Sequence, residues 1–134
     1  MHPHPTRLLL AAALLLSRIL PATAADFTST WNGTTGNWSD PTKWSTNPAF
    51  PNNGGSTYDA IQTGGFLTVN QAITIEKYTL SGGGHNIGAG FTLTTNDLLT
   101  WSDGTMYGSG TVQADGGVSF SGSAAKDLHT NRIL

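Results

Sequence analysis

From Asp59 onward, apolar and polar residues alternate in short runs. Ile61, Phe66-Leu67-Thr68-Val69, Ile73-Thr74-Ile75 and Tyr78-Thr79-Leu80 come first. Phe91-Thr92-Leu93, Leu98-Leu99-Thr100-Trp101, Thr111-Val112 and Val118-Ser119-Phe120 follow. A period of two marks strands with one buried face, and the runs are too short for helices. Polar and glycine-rich stretches, among them Ser81-Gly82-Gly83-Gly84, stand between them. Such short strands suit the faces of a solenoid coil better than isolated hairpins. Two Gly-x-Gly corners, Gly88-Ala89-Gly90 and Gly108-Ser109-Gly110, each stand just before a strand and align with one another. Taken as joints, they predict coils at 66–90, 91–110 and 111–134. One coil cannot bury its own apolar side chains. Coils stacked about 4.7–4.9 Å apart bury them and pair each backbone with its neighbours. Leu67, Val69, Ile73, Ile75, Leu80, Phe91, Leu93, Leu99, Val112, Val118 and Phe120 are the expected inward residues. The expected fold is all-β, a short right-handed parallel β-helix.

Residues 26–60 read differently. Alternation is poor, three of the four Trp fall here, and Pro51-Asn52-Asn53-Gly54-Gly55-Ser56 is a dense turn cluster that marks a boundary. The end of a solenoid exposes unpaired strand edges and apolar interior, which natural solenoids cover. Trp31, Trp38 and Trp44 are therefore expected to form an aromatic N-terminal cap, with Gly33 and Gly36 permitting the tight turns. The other use of these three residues is an aromatic platform for contact with a glycan. The solenoid proper is expected over 61–134.

The segment 1–25 follows the order of a secretory signal peptide. Arg7 lies in a short basic stretch, Leu8 to Leu16 is an unbroken run of Leu and Ala, and Pro21 breaks the helix before Ala22-Thr23-Ala24. Cleavage is expected near Ala24 or Ala25. A membrane anchor would need about 20 apolar residues, and Arg18 interrupts this stretch. The expected location is secreted or cell surface, with no transmembrane segment in the mature chain. That chain carries four Lys and Arg against eight Asp and Glu. It has no basic patch for a phosphate backbone, so nucleic acid is not an expected partner. Cysteine is absent, which excludes a disulfide framework and metal–thiolate sites.

Candidate chemistry is sparse. Asp97, Asp103, Asp115 and Asp127 could stack on one face, to bind Ca²⁺ or to act as the acids of a polysaccharide-degrading enzyme. Their spacing does not reproduce a Ca²⁺ loop, and Asp before Gly is first a turn signal. His85 and His129 have no partner at metal-ligand spacing. No nucleophile elbow, P-loop or dinucleotide fingerprint is present. No catalytic, metal or cofactor-binding residue is expected, and the chain reads as a non-enzyme.

Trp31-Asn32-Gly33-Thr34-Thr35-Gly36-Asn37-Trp38-Ser39-Asp40-Pro41-Thr42-Lys43-Trp44 resembles the W-x-G-x-x-G-x-W-S-D-x-x-x-W opening of bacterial exported solenoids. These include autotransporter passenger-like proteins and PEP-CTERM-type surface proteins with β-strand repeats. Leu99-Thr100-Trp101-Ser102-Asp103-Gly104-Thr105-Met106-Tyr107-Gly108-Ser109-Gly110-Thr111-Val112 is similar to a second phrase found there, L-x-W-x-x-G-x-x-x-G-x-G-x-x. The resemblance implies a β-helix displayed at or beyond the cell surface, structural or adhesive, with no shared catalytic residues. Surface glycans or other surface proteins are the expected partners. The sequence shows no C-terminal barrel and no sorting tail and stops inside what reads as a continuing coil. A fragment of a longer protein is therefore expected, able to self-associate through an uncapped C-terminal edge. The competing class is a glycan-binding or polysaccharide-degrading β-helix of pectate-lyase-like architecture. An enzyme would gather three or more carboxylates and a basic residue on one face. A stalk would show Thr, Ser and Asn ladders and no pocket.

Overall fold

The structure, a computed structural model, describes residues 24–128. The expected leader up to residue 23, and His129 onward, lie outside the described residues. Every strand pairing is parallel, and the strands wind into a solenoid with three faces. The first face stacks β1 (Phe27–Thr30), β3 (Tyr58–Gln62), the first half of β6 (Lys77–Ile87), the first half of β8 (Leu99–Gly108) and β10 (Val118–Phe120). The second stacks β2 (Thr35–Asn37), β4 (Phe66–Val69), the remainder of β6 and β8, and β11 (Asp127–Leu128). The third stacks β5 (Ile73–Ile75), β7 (Thr92–Thr95) and β9 (Thr111–Ala114).

One inward column fixes the winding. Ser29, Ala60, Tyr78, Leu99 and Val118 lie one above another, each one full turn after the last. This makes four turns where the glycine joints predicted three coils. There are two reasons. Residues 27–57 form a coil of their own, because β1 and β2 enter the same sheet as the later strands. The segment 66–90 is also more than one turn, since Phe66 already faces Gly84. Ser81-Gly82-Gly83-Gly84 does not separate strands. It carries β6 around the corner between the first and second faces, with Gly83 at φ 83°. The Gly-x-Gly segments do mark a recurring corner, since Ile87 faces Gly108 and Thr92 faces Thr111.

In the first coil, no strand forms on the third face. A turn of 3₁₀ helix, Pro41–Lys43, takes the chain inward, capped by Asp40, whose side chain accepts the Thr42 N–H. The Thr42 hydroxyl and N–H hold the Asp40 carboxyl below its ordinary value. Asn53 N–H then donates to the Thr74 carbonyl at 2.6 Å, and Thr74 N–H to Asn52 Oδ1 at 2.9 Å. The two Asn thus stand in for the missing strand.

Leu67, Val69, Ile73, Ile75, Leu80, Leu93, Leu99 and Val112 are buried, as their alternation predicts. Phe91, Val118 and Phe120 are not. Phe91 is 36 % exposed because it precedes β7 at the corner, where its ring lies near Gly88. Phe120 points inward and packs on Trp101 at 5.8 Å between ring centroids, yet it is 58 % exposed because no described residue stacks on its far side. Val118, half-buried on Leu99, shares that position. Leu93→Ala should therefore destabilise the fold by about 2–5 kcal/mol, whereas Phe120→Ala should cost well under half as much. Thermal melts of the two variants check this, and equal losses would mean that the last rung is covered.

Candidate functional site

The three N-terminal tryptophans converge at the start of the solenoid. Ser29 and Ala60 are small inward residues, and the indoles fill the space that they leave. Trp44 packs edge-on to Trp31 at 5.1 Å and against Trp38 at 4.8 Å. Trp38 reaches past the second coil to Tyr78 at 5.7 Å and His85 at 6.0 Å. Each ring N–H is satisfied: Trp31 donates to Thr34 O, Trp38 to Pro51 O and Trp44 to Trp38 O. The segment after the 3₁₀ turn pairs with β1 in antiparallel fashion through Trp31 and Trp44, and Ser45 N–H donates to Thr30 O. That covers the outer edge of the first strand. The rings are 2, 0 and 3 % exposed, so in this conformation they present no face to a sugar.

Trp31 has a counterpart three coils later. Trp31 and Trp101 are the same inward position of their coils, and each indole N–H donates to the carbonyl three positions ahead, Thr34 O at 3.0 Å and Gly104 O at 3.1 Å. The device ties each indole across the corner between the first and second faces.

Beneath Trp38 lies a buried polar group that sequence reasoning missed. The Tyr78 hydroxyl donates to Gln62 Oε1 at 2.6 Å, and His85 Nδ1 is 2.8 Å from the hydroxyl and 3.2 Å from Gln62 Oε1. The hydroxyl proton is committed to Gln62, so Nδ1 faces two acceptors and carries the proton. Gln62 Nε2 donates onward to Gly84 O at 2.9 Å. Burial pushes the Tyr78 hydroxyl well above its ordinary value, which keeps it protonated as a donor. The alternation does carry a signal: Tyr78-x-Leu80 and His85-x-Ile87 place both rings inward.

The four aspartates weighed for chemistry do not stack. Asp103 accepts the N–H of Gly104 at one corner, and Asp115 accepts from Gln113 at another. Asp127 lies on the second face opposite Thr105. Asp97 pairs with Lys77 at 3.5 Å, in company that the spacing did not foretell. Glu76 Oε1 accepts the side-chain amides of Asn53 at 2.8 Å and Asn96 at 2.9 Å, and Asp59 accepts the Lys77 N–H at 3.2 Å. Three carboxylates and one ammonium therefore meet where the third face turns into the first. Loss of hydration raises the Asp59 carboxyl above its ordinary 3.8, partly opposed by Lys77. The folded chain thus holds this proton to higher pH than the unfolded chain does. Its contribution to stability falls as pH rises from 3.8 through the raised value. Asp59→Asn keeps the acceptor and removes the charge. It should stabilise the protein at neutral pH by less than about 1 kcal/mol, given the group's partial exposure. The gain should vanish in acid, and melts at the two pH values check the sign.

The outward positions form ladders. Thr30, Ile61, Thr79, Thr100 and Ser119 run along the first face. Asn37, Thr68, Asn86 and Tyr107 run along the second. Thr74, Thr94 and Gln113 run along the third, beside Thr92 and Thr111. No pocket opens among the described residues, no group of side chains there is arranged to hold a metal ion, and no helix there is long and apolar enough to cross a membrane. Comparison with protein-family models, with curated proteins and with solved structures finds no match for this chain.

Proposed function

We propose that the chain is an exported β-solenoid with a structural or adhesive role at the cell surface or outside the cell, and that it is not an enzyme. The observation that carries this reading is the set of Thr, Ser and Asn ladders on flat faces without a pocket. Binding on such a surface is spread over stacked coils and is not focused at one point. The leader-like segment 1–25 and the Trp31–Trp44 motif support export. Surface glycans and other surface proteins are the proposed partners. Mass spectrometry of the protein's N-terminus, with fractionation of the native host, tests the reading. A mature chain starting near Ala25 or Asp26 outside the cytoplasm is expected, and an intact Met1 in the cytoplasm would overturn it.

The meeting of Asp59, Glu76, Asp97 and Lys77 favours a second reading, a polysaccharide-degrading solenoid. A raised carboxyl near other carboxylates is the raw material of glycosidic acid catalysis. Here Glu76 is held by two amides and Asp97 by Lys77. Reducing-end release from a polysaccharide panel, lost in Glu76→Gln, would establish this reading in place of the first.

A further inference from the structure

The second face lacks the Asp59 and Lys77 pair of the first, and it carries aromatic rings that the outward ladder of the third does not. Its outward positions from β2 to β8 are Thr35, Asn37, Phe66, Thr68, Gly84, Asn86, Thr105 and Tyr107, with no Asp, Glu, Lys or Arg among them, and Asp127 of β11 follows Thr105 in the same column. Phe66 and Tyr107 belong to coils on either side of Gly84, and their rings meet above it, with centroids 5.1 Å apart. A methyl group at Gly84 would run into the Tyr107 hydroxyl and the Phe66 ring. The glycine is what lets two rings two coils apart touch. Neither ring is needed for the core, whose space below is filled by Leu67, His85, Met106 and Ile87. Phe66 remains 38 % exposed. The amides of Asn37 and Asn86, in the next column, are held by no hydrogen bond to another described residue.

We propose that this face binds a neutral polysaccharide chain laid across the coils, its sugar rings resting on Phe66 and Tyr107 and its hydroxyls bonded by Asn37, Thr68 and Asn86. The chemistry selects the occupant. A flat face without a cavity suits an extended ligand. An aromatic ring, electron-rich on its face, attracts the polarised C–H groups of a pyranose. Free amides and hydroxyls at strand spacing both donate and accept, as sugar hydroxyls require. The lack of basic side chains on this face disfavours acidic glycans and nucleic acid, which need basic partners. The apolar patch, two rings among polar residues, is small for a protein interface. The inference deepens the adhesive reading and moves the glycan contact from the buried tryptophans to exposed Phe66 and half-buried Tyr107.

Titration of the purified ¹⁵N-labelled protein with cellohexaose, laminarihexaose and maltohexaose, each to about 5 mM, a range that detects millimolar dissociation constants, is the test. At least one neutral hexasaccharide should shift the Phe66, Thr68, Asn86 and Tyr107 amides, and oligogalacturonate should not. Phe66→Ala and Tyr107→Ala should each weaken binding about tenfold, equivalent to 1.4 kcal/mol, while Thr94→Ala on the third face should leave it unchanged. No shift with any neutral hexasaccharide, shifts confined to another face, or equal response to oligogalacturonate would overturn the proposal. The wild-type titration reads the site even where a variant folds poorly. A negative result on purified protein leaves the export experiment standing, so the two readings fail separately.

Discussion

Trp38→Ala should lower the stability of the solenoid by about 3–5 kcal/mol, the range for emptying a fully buried aromatic site. Trp38 is the ring that links the first coil to the third, through Trp44 on one side and Tyr78 and His85 on the other. Its removal strips contacts from all three and leaves the Pro51 carbonyl without its donor. Trp38→Phe separates the two losses. It retains most of the packing and forfeits the hydrogen bond, so it should cost about 1–2 kcal/mol. Thermal unfolding followed by far-ultraviolet circular dichroism measures both, since the strand signal does not depend on the substituted ring. A Trp38→Ala midpoint within about 2 °C of the parent would show that the plug unfolds independently of the coils.

Gly83→Val should be of similar size, for a different reason. Gly33, Gly65, Gly83 and Gly104 all have positive φ at the corner between the first and second faces. At Gly83, a side chain would meet the backbone of Gly64 and Gly65 in the coil before it. A branched residue incurs the left-handed penalty of about 1–2 kcal/mol and must also force two coils apart, where overpacking costs about 1–3 kcal/mol more. Gly54→Ala is the control, because nothing lies within 4 Å of the added carbon. It should shift stability by no more than about 0.5 kcal/mol. Equal effects at the two sites would mean that the corner spacing is soft.

The strands and most of the core were legible because inward Leu, Ile and Val alternate with Thr, and parity alone fixes which side is buried. Parity fails at corners and at the last rung. Phe91 has inward parity but precedes its strand, and Phe120 has inward parity with no described rung beyond it. The winding was harder to read. A glycine run signals a turn, but here it carries the strand around a corner through a shift in register, so Lys77–Ile87 is one strand around a bend. The polar group of Gln62, Tyr78 and His85 and the carboxylates around Lys77 draw their members from different coils. Only the register that sets Ala60 beside Tyr78, and Tyr78 beside Leu99, brings them together. The same holds for Phe66 and Tyr107.

The reach of Trp38 into the third coil also sets an order of assembly. Each rung lies on one delivered a single turn earlier, so a chain emerging from its N-terminus can stack as it appears. The first two coils cannot finish on their own. Trp38 stays open on one side until Tyr78 and His85 arrive, and Gln62 lacks its hydroxyl and ring partners until the same moment. The smallest piece able to hold its shape therefore extends through Ile87. A growing chain shorter than that is collapsed but unsealed, and every later rung lands on an edge already set.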